Sequence, residues 1–162
     1  MKHTISAIVE NKPGVLHRVV GLFSRRGYNI DSLAVGTTEK TEVSRITIVV
    51  TGDDLVLEQI IKQLYKQIDV LEVFDLPQNE SIERELALIK VKANEKTRNE
   101  IAQLAETFNA RIVDVAEETV IIEVSLEKEK VENLQKLLEK FGIQELVRTG
   151  KIAIQKGGKN NG

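Results

Sequence analysis

Two pairs of amphipathic helix patterns, recurring in the same order, limit what this chain can fold into. Apolar residues are spaced three and four positions apart from Leu16 to Phe23 and again from Leu57 to Leu64, which is the spacing of one helix face. The same two stripes return from Ile101 to Phe108 and from Leu134 to Phe141. The sequence therefore predicts two similar units in tandem.

Strand-like segments lie before, between and after the helix patterns of each unit. They are rich in β-branched residues or alternate between apolar and polar residues, as half-buried strands do. In the first unit the predicted strands cover 4–9, 28–35, 43–51 and 70–76, and in the second 85–93, 111–116, 119–125 and 143–154. The predicted fold class is therefore α+β, with two ferredoxin-like βαββαβ units, each a four-stranded antiparallel sheet whose two helices cover one face. Asp53 or Asp54 is placed to cap the second helix.

A stretch that contains a proline and several polar residues separates the two units. It runs from Leu76 to Ser81 and has the composition of a linker rather than of a core element. We therefore predict a first domain over 1–76, a linker over 77–83 and a second domain over 84–156. The glycine-rich end, residues 157–162, is predicted to be a disordered tail.

The composition indicates an ordinary globular protein. Among 162 residues 41% are hydrophobic, no cysteine occurs, and the formal charge at pH 7 is −2. Disulfides and cysteine-based metal sites are therefore excluded, and no basic face is expected that would bind nucleic acid. The sequence has no apolar run long enough for a membrane span and no signal-peptide pattern. We expect a cytoplasmic protein that binds neither nucleic acid nor membranes.

No set of residues in the sequence has the pattern of a catalytic or metal site. The two histidines, His3 and His17, have no second ligand at metal spacing. The acidic pairs Asp53-Asp54 and Glu117-Glu118 are explained by helix capping and by a solvated hairpin tip. No serine lies in a nucleophile elbow, and the predicted third strand has no aromatic residue for stacking RNA bases. We expect no catalytic residue and no metal ligand.

The turn Asn11-Lys12-Pro13-Gly14, between the first strand and the first helix, is the best candidate for a binding site. A helix start presents unpaired N–H groups to an anion, and a glycine there leaves room for the ligand. Asn11 could cap the helix or accept a hydrogen bond from an ammonium group, and Val15 and Leu16 would offer apolar surface. A free amino acid would fit such a site. Pro13 and Gly14 are equally what a helix start without a ligand would use, and this turn alone does not distinguish the two.

Two further observations favour the ligand. The corresponding turn of the second unit, Asn94 to Arg98, has neither proline nor glycine, so the fold does not require them to start this helix. A second asparagine, Asn29, lies at the start of the second predicted strand, and we expect it to lie beside the first turn. The second unit has Ala110-Arg111 there.

These residues resemble a known family. The run from Glu10 to Leu16 resembles the ligand loop of ACT domains, which sense amino acids. The run from Arg18 to Leu33 is similar to the regulatory small subunit of acetolactate (acetohydroxyacid) synthase. Shorter matches extend the resemblance through both units: Ser44-Arg45-Ile46-Thr47, Gln63-Leu64-Tyr65-Lys66, Arg84-Glu85-Leu86 and Arg148-Thr149-Gly150.

The resemblance implies a non-catalytic subunit in the biosynthesis of valine, leucine and isoleucine. Such a chain forms a homodimer through its ACT domains, binds valine at the dimer interface, and activates a large catalytic subunit on which it confers feedback inhibition. That partner carries thiamine diphosphate, Mg²⁺ and FAD, and the second domain contacts it. Matched to this sequence, the expected ligand contacts are Asn11, Gly14, Val15, Leu16, Asn29 and Ile30.

Two other functions stay open from the sequence. A free-standing ACT-type sensor would bind an amino acid and act on another protein. A small hydrolase of the same fold would need a nucleophile or acid pair that the sequence does not supply. Which branched amino acid is the effector also stays open, because all three have the same charged groups.

Overall fold

The computed structural model describes residues 1–158, and contacts within it define two compact units. Of the described residues, the first unit comprises Met1–Ile82 and residues 151–158, and the second comprises Glu83–Gly150. Of the predicted tail, Gly157 and Gly158 lie in a turn, and residues 159–162 are outside the described residues. The predicted domain limits, which assigned the chain as far as residue 156 to the second domain, remain a prediction.

The first unit follows the predicted order of elements. Its strands and helices are β1 (Lys2–Glu10), α1 (Val15–Arg26), β2 (Ile30–Thr37), β3 (Val43–Thr51), α2 (Asp54–Tyr65) and β4 (Val70–Asp75). The sheet order is β2-β3-β1-β4, with antiparallel neighbours throughout, so β2 and β4 are the edge strands.

One core holds this unit together. Alternate residues of β1 and β3 point to the same side of the sheet, and there they pack against the apolar stripes of α1 and α2. Its largest fully buried side chains are Phe23, Ile5, Ile46, Ile48, Ile60 and Leu64. This arrangement gives the predicted architecture of a sheet with two helices on one face.

Helix α2 begins with a side-chain cap, as predicted from the sequence. Asp53 accepts a hydrogen bond from the N–H of Val56 at 2.9 Å, whereas Asp54 is the first residue of the helix. We expect Asp53→Ala to lower the free energy of unfolding by about 1 kcal/mol, the usual value of a lost cap. Urea denaturation measures this effect. Asp54→Ala removes the same charge without the cap and should cost less than half as much.

The second unit repeats the architecture. Its strands and helices are β5 (Ser81–Lys92), α3 (Arg98–Thr107), β6 (Arg111–Val115), β7 (Thr119–Leu126), α4 (Lys128–Leu138) and β8 (Ile143–Arg148). The sheet order is β6-β7-β5-β8, with antiparallel neighbours. The short β9 (Ile152–Gln155) follows in the chain and belongs to the first unit. Its core consists mainly of residues from β5, β7, α3 and α4. The predicted α+β class with two βαββαβ units is confirmed.

Two strand limits differ from the prediction. Strand β5 begins at Ser81, inside the predicted linker. The sequence pattern did not indicate this start because the buried positions there, Ser81 and Glu83, are polar. The predicted last strand is divided in two. It breaks between Arg148 and Ile152, where Gly150 has a positive φ of 84°, a conformation that interrupts a strand.

Candidate functional site

Gly14 ends the turn after β1 in a conformation that favours glycine. It is the N-cap of α1, with φ 85° and ψ −10°, and no side chain caps the helix. A Cβ atom built on Gly14 would lie 3.0 Å from Nη1 of Arg18. Any L-residue at this position would therefore strain the backbone and press on the arginine.

The start of α1 presents backbone donors to solvent at this turn. Within the described residues the N–H groups of Leu16 and His17 have no hydrogen-bond partner, and the N–H of Val15 makes only a 3.3 Å contact with the carbonyl of Lys12. Unpaired N–H groups at a helix start bind anions or water. The turn therefore has the chemistry of a carboxylate site.

Asn11 does not cap the helix, so this part of the sequence prediction is wrong. Its amide group donates to the carbonyl of Thr41 at 3.0 Å, and its N–H donates to the carbonyl of Glu42 at 2.8 Å. Both bonds tie the start of the turn to the hairpin between β2 and β3. The amide oxygen of Asn11 has no partner within residues 1–158.

Two ion pairs flank the turn. Lys12 pairs with Glu10 at 2.9 Å, and the hydrogen bond to Glu10 raises the pKa of Lys12 above its ordinary value. Arg18 pairs with Asp69 at 2.5 Å, and the side chain of Asp69 is only 12% exposed. Asp69 lies in the connection to β4, and its carbonyl accepts a hydrogen bond from the N–H of Glu10. Sequence reasoning missed this pair, since its members are 51 positions apart and no local pattern links them.

Only one of the two predicted apolar residues faces outward. The side chain of Val15 is 3% exposed and belongs to the core, whereas Leu16 is 41% exposed. The expectation that both offer apolar surface to a ligand is therefore wrong for Val15, because the helix turns its side chain toward the sheet. Only the backbone of Val15 is left to contribute to the site.

Asn29 and Ile30 lie at the other end of the sheet from the turn. Ile30 is paired with Val50, which is opposite His3, whereas Asn11 follows Glu10, which is opposite Val43. Val43 and Val50 are seven residues apart on β3, about 24 Å at the usual rise of a strand. The expectation that Asn29 lies beside the turn of its own chain is wrong. The strand end that does lie there is the end of β2, where Thr37 is paired with Ser44.

The corresponding turn of the second unit is built differently. Helix α3 begins after Thr97, and the side chain of Asn94 accepts hydrogen bonds from the N–H groups of Lys96 and Thr97 at 2.9 and 3.0 Å. These bonds hold the backbone of the turn before the helix. The N–H groups of Asn99 and Glu100, at the start of α3, have no hydrogen-bond partner within the described residues, as is the case for Leu16 and His17 in α1. The two turns thus differ in the side-chain bonds that hold them and in the glycine, and not in the open N–H groups.

The described residues contain no group of three or more histidine, aspartate or glutamate side chains that could hold a metal ion. Over the same residues, no helix is both long enough and apolar enough to cross a membrane.

Two family models together match most of the chain. Residues 5–72 match the family model described as the acetohydroxyacid synthase (AHAS) small subunit-like ACT domain. Residues 84–157 match the family model described as the small subunit of acetolactate synthase. The turn and both ends of the sheet described above lie within the first match.

Whole-chain relatives agree with these models. The chain is 55% identical to the Archaeoglobus fulgidus protein named "Probable acetolactate synthase small subunit", over 98% of this chain and 99% of that one. It is 48% identical to the acetolactate synthase small subunit of Mycolicibacterium smegmatis, over 99% and 94% of the two chains. The crystal structure of the acetolactate synthase small subunit from Thermotoga maritima superimposes with a TM-score of 0.91, at 42% identity, over 96% of this chain and 98% of that one.

Proposed function

The chain belongs to the family of acetolactate synthase small subunits, and from this we propose that it binds valine and thereby inhibits a catalytic subunit that it otherwise activates. The thiamine diphosphate, Mg²⁺ and FAD of the reaction would be bound by that partner. This chain supplies the regulation and no catalytic residue.

The observation that carries the proposal is the left-handed Gly14 at the start of α1. Gly14 has no side chain that would keep a ligand away from the N–H groups of Leu16 and His17, which have no hydrogen-bond partner within the described residues. Donors in that position favour a carboxylate, and the exposed side chain of Leu16 provides apolar contact beside them.

A second copy of the chain would complete the site. Strand β2 is an edge strand, and its segment from Ser32 to Thr37 has no charged residue and no bulge. Such an edge favours pairing with another strand. If two β2 edges pair antiparallel around a two-fold axis, the start of each β2 lies beside the end of the other. Asn29 and Ile30 of one chain then approach the Asn11–Gly14 turn of its partner.

Inhibition requires valine to bind two states of the complex with different affinity. A ligand that binds both states equally shifts neither. A site shared between two chains meets this requirement, because a change in the angle between the chains alters the distance between its halves. We propose that valine favours the arrangement in which the catalytic subunit is less active.

Co-expression of the tagged chain with a catalytic subunit from the same genome tests this function. We expect the two to co-purify, the synthase activity to exceed that of the catalytic subunit alone, and valine to reduce it. Leucine and isoleucine, assayed in parallel, identify the preferred effector. Unchanged synthase activity on adding the chain would contradict the activating role, and activity insensitive to all three amino acids would contradict the sensor role.

A further inference from the structure

The side-chain amide of Asn29 is held in one orientation. Its nitrogen donates to Oδ1 of Asp31 at 2.7 Å. A carboxylate only accepts hydrogen bonds, so the amide nitrogen must face Asp31 and the amide oxygen must face away. That oxygen has no partner within residues 1–158. Asn29 therefore offers an acceptor to whatever approaches the start of β2.

Asp31 is itself fixed from the other side. The hydroxyl of Thr51 donates to Oδ2 of Asp31 at 2.5 Å. Thr51 ends β3, and Asp31 lies in the irregular register between Ile30 and Ser32. One carboxylate oxygen of Asp31 thus accepts from Asn29 and the other from Thr51 on the neighbouring strand. These two bonds limit the rotation of the side chains of Asp31 and Asn29.

Asn11 is oriented in the same way at the other half of the site. Its amide nitrogen donates to the backbone carbonyl of Thr41, which also can only accept. The two asparagines therefore both present oxygen atoms, whereas the start of α1 presents N–H groups. The amide oxygens fit an ammonium group, and the N–H groups fit a carboxylate.

We infer that Asp31 is a positioning residue that holds the amide oxygen of Asn29 toward the ammonium group of the ligand. The inference depends on the proposed function, because Asn29 reaches the turn only across a dimer. It assigns Asp31 a part in recognising the ammonium group of the amino acid that the proposed function names. A 2-oxo acid with the same carbon skeleton has no ammonium group for the two amide oxygens, and an amino-acid amide has no carboxylate for the helix donors.

Calorimetric titration of the purified full-length chain with three ligands tests whether binding requires both the ammonium group and the carboxylate of the ligand. The ligands are L-valine, its 2-oxo acid 3-methyl-2-oxobutanoate, and L-valinamide. We expect both analogues to bind about 10- to 100-fold more weakly than valine, the range of a lost charge-assisted hydrogen bond. A 2-oxo acid that binds as tightly as valine would overturn the inference.

Substitutions of Asp31 separate positioning from simple charge attraction. Asp31→Ala frees the amide of Asn29, and valine affinity should fall about 10-fold or more, the usual effect of a lost charged hydrogen bond. Asp31→Asn keeps an oxygen that can accept from Asn29, and affinity should stay within about 3-fold of the original, since a neutral acceptor is only somewhat weaker. Asp54→Ala, at an exposed aspartate of the same unit, is the charge-matched control and should leave valine affinity unchanged.

Each outcome bears on the inference. Equal losses in Asp31→Ala and Asp31→Asn would mean that the charge of Asp31 attracts the ligand directly, which overturns the positioning role. Unchanged binding in both, with an unchanged circular dichroism spectrum, would overturn it as well. If the original chain binds no branched amino acid at millimolar concentration, the proposed sensor function fails first and the inference with it.

Discussion

Replacing Gly14 by aspartate should abolish valine binding and valine inhibition. The residue has φ 85°, and its new Cβ would lie 3.0 Å from Nη1 of Arg18. The added carboxylate would pair with that guanidinium and occupy the place proposed for the carboxylate of the ligand. Like charges brought together at a binding site cost several kcal/mol, so we expect a loss of more than about 100-fold in affinity. Calorimetry and the inhibition assay measure it.

Two variants separate the charge from the backbone strain. Gly14→Ala places an L-residue at the same positive φ but adds no carboxylate, and it should weaken binding less than Gly14→Asp does. Gly142→Asp places the same side chain at another positive φ, of 97°, in the second unit, and it should leave valine affinity unchanged. Full inhibition by valine in folded Gly14→Asp would place the site elsewhere.

Removing Arg148 should be the most destabilising single change of a charged residue in the second unit. Its side chain is 27% exposed, and its guanidinium pairs with Glu85, whose side chain is 2% exposed, and also contacts Glu132 at 3.5 Å. The bond to Glu85 raises the pKa of Arg148. Arg148→Ala leaves the buried carboxylate of Glu85 unpaired, which costs about 3–5 kcal/mol for buried pairs of this kind. The midpoint of urea denaturation reports the loss.

Matched variants test this explanation. Arg111→Ala breaks a pair with Glu123 in which the arginine is 73% exposed, and it should cost less than about 1 kcal/mol. The double change Glu85→Leu with Arg148→Leu removes both charges, and it should recover most of the stability that Arg148→Ala loses. A loss below about 1 kcal/mol in Arg148→Ala would mean that water or relaxation screens Glu85, since exposed pairs contribute no more than that.

The fold could be predicted because its elements are encoded locally. The 3.6-residue stripes mark helices α1 to α4, and the acidic pair Asp53-Asp54 before an apolar stripe indicated a cap without deciding between the two residues. The start of β5 was missed because polar residues, Ser81 and Glu83, occupy its buried positions. Hydrophobic periodicity cannot detect a strand whose buried side chains are polar.

The candidate site could be predicted only in part, since its parts are arranged by tertiary structure. The Asn11–Gly14 turn is local, and its glycine indicated the open helix start. The position of Asn29 depends on the register of β2 with β3, which no local pattern fixes. The pairing of Arg18 with Asp69 also depends on contacts between distant segments. The proposed dependence of the site on a second chain rests on this register, in addition to the resemblance to the family.

Complementation between two defective chains tests the central claim most directly. In the proposed dimer each valine site takes its turn from one chain and Asn29 from the other. Dimers of Gly14→Asp alone, or of Asn29→Ala alone, have no intact site. A heterodimer of the two, co-expressed with different tags and purified through both, has one intact site. We therefore expect calorimetry to find half as many valine sites per dimer as in the original protein, with the original affinity. A heterodimer that binds no more valine than either parent would contradict a site shared between two chains.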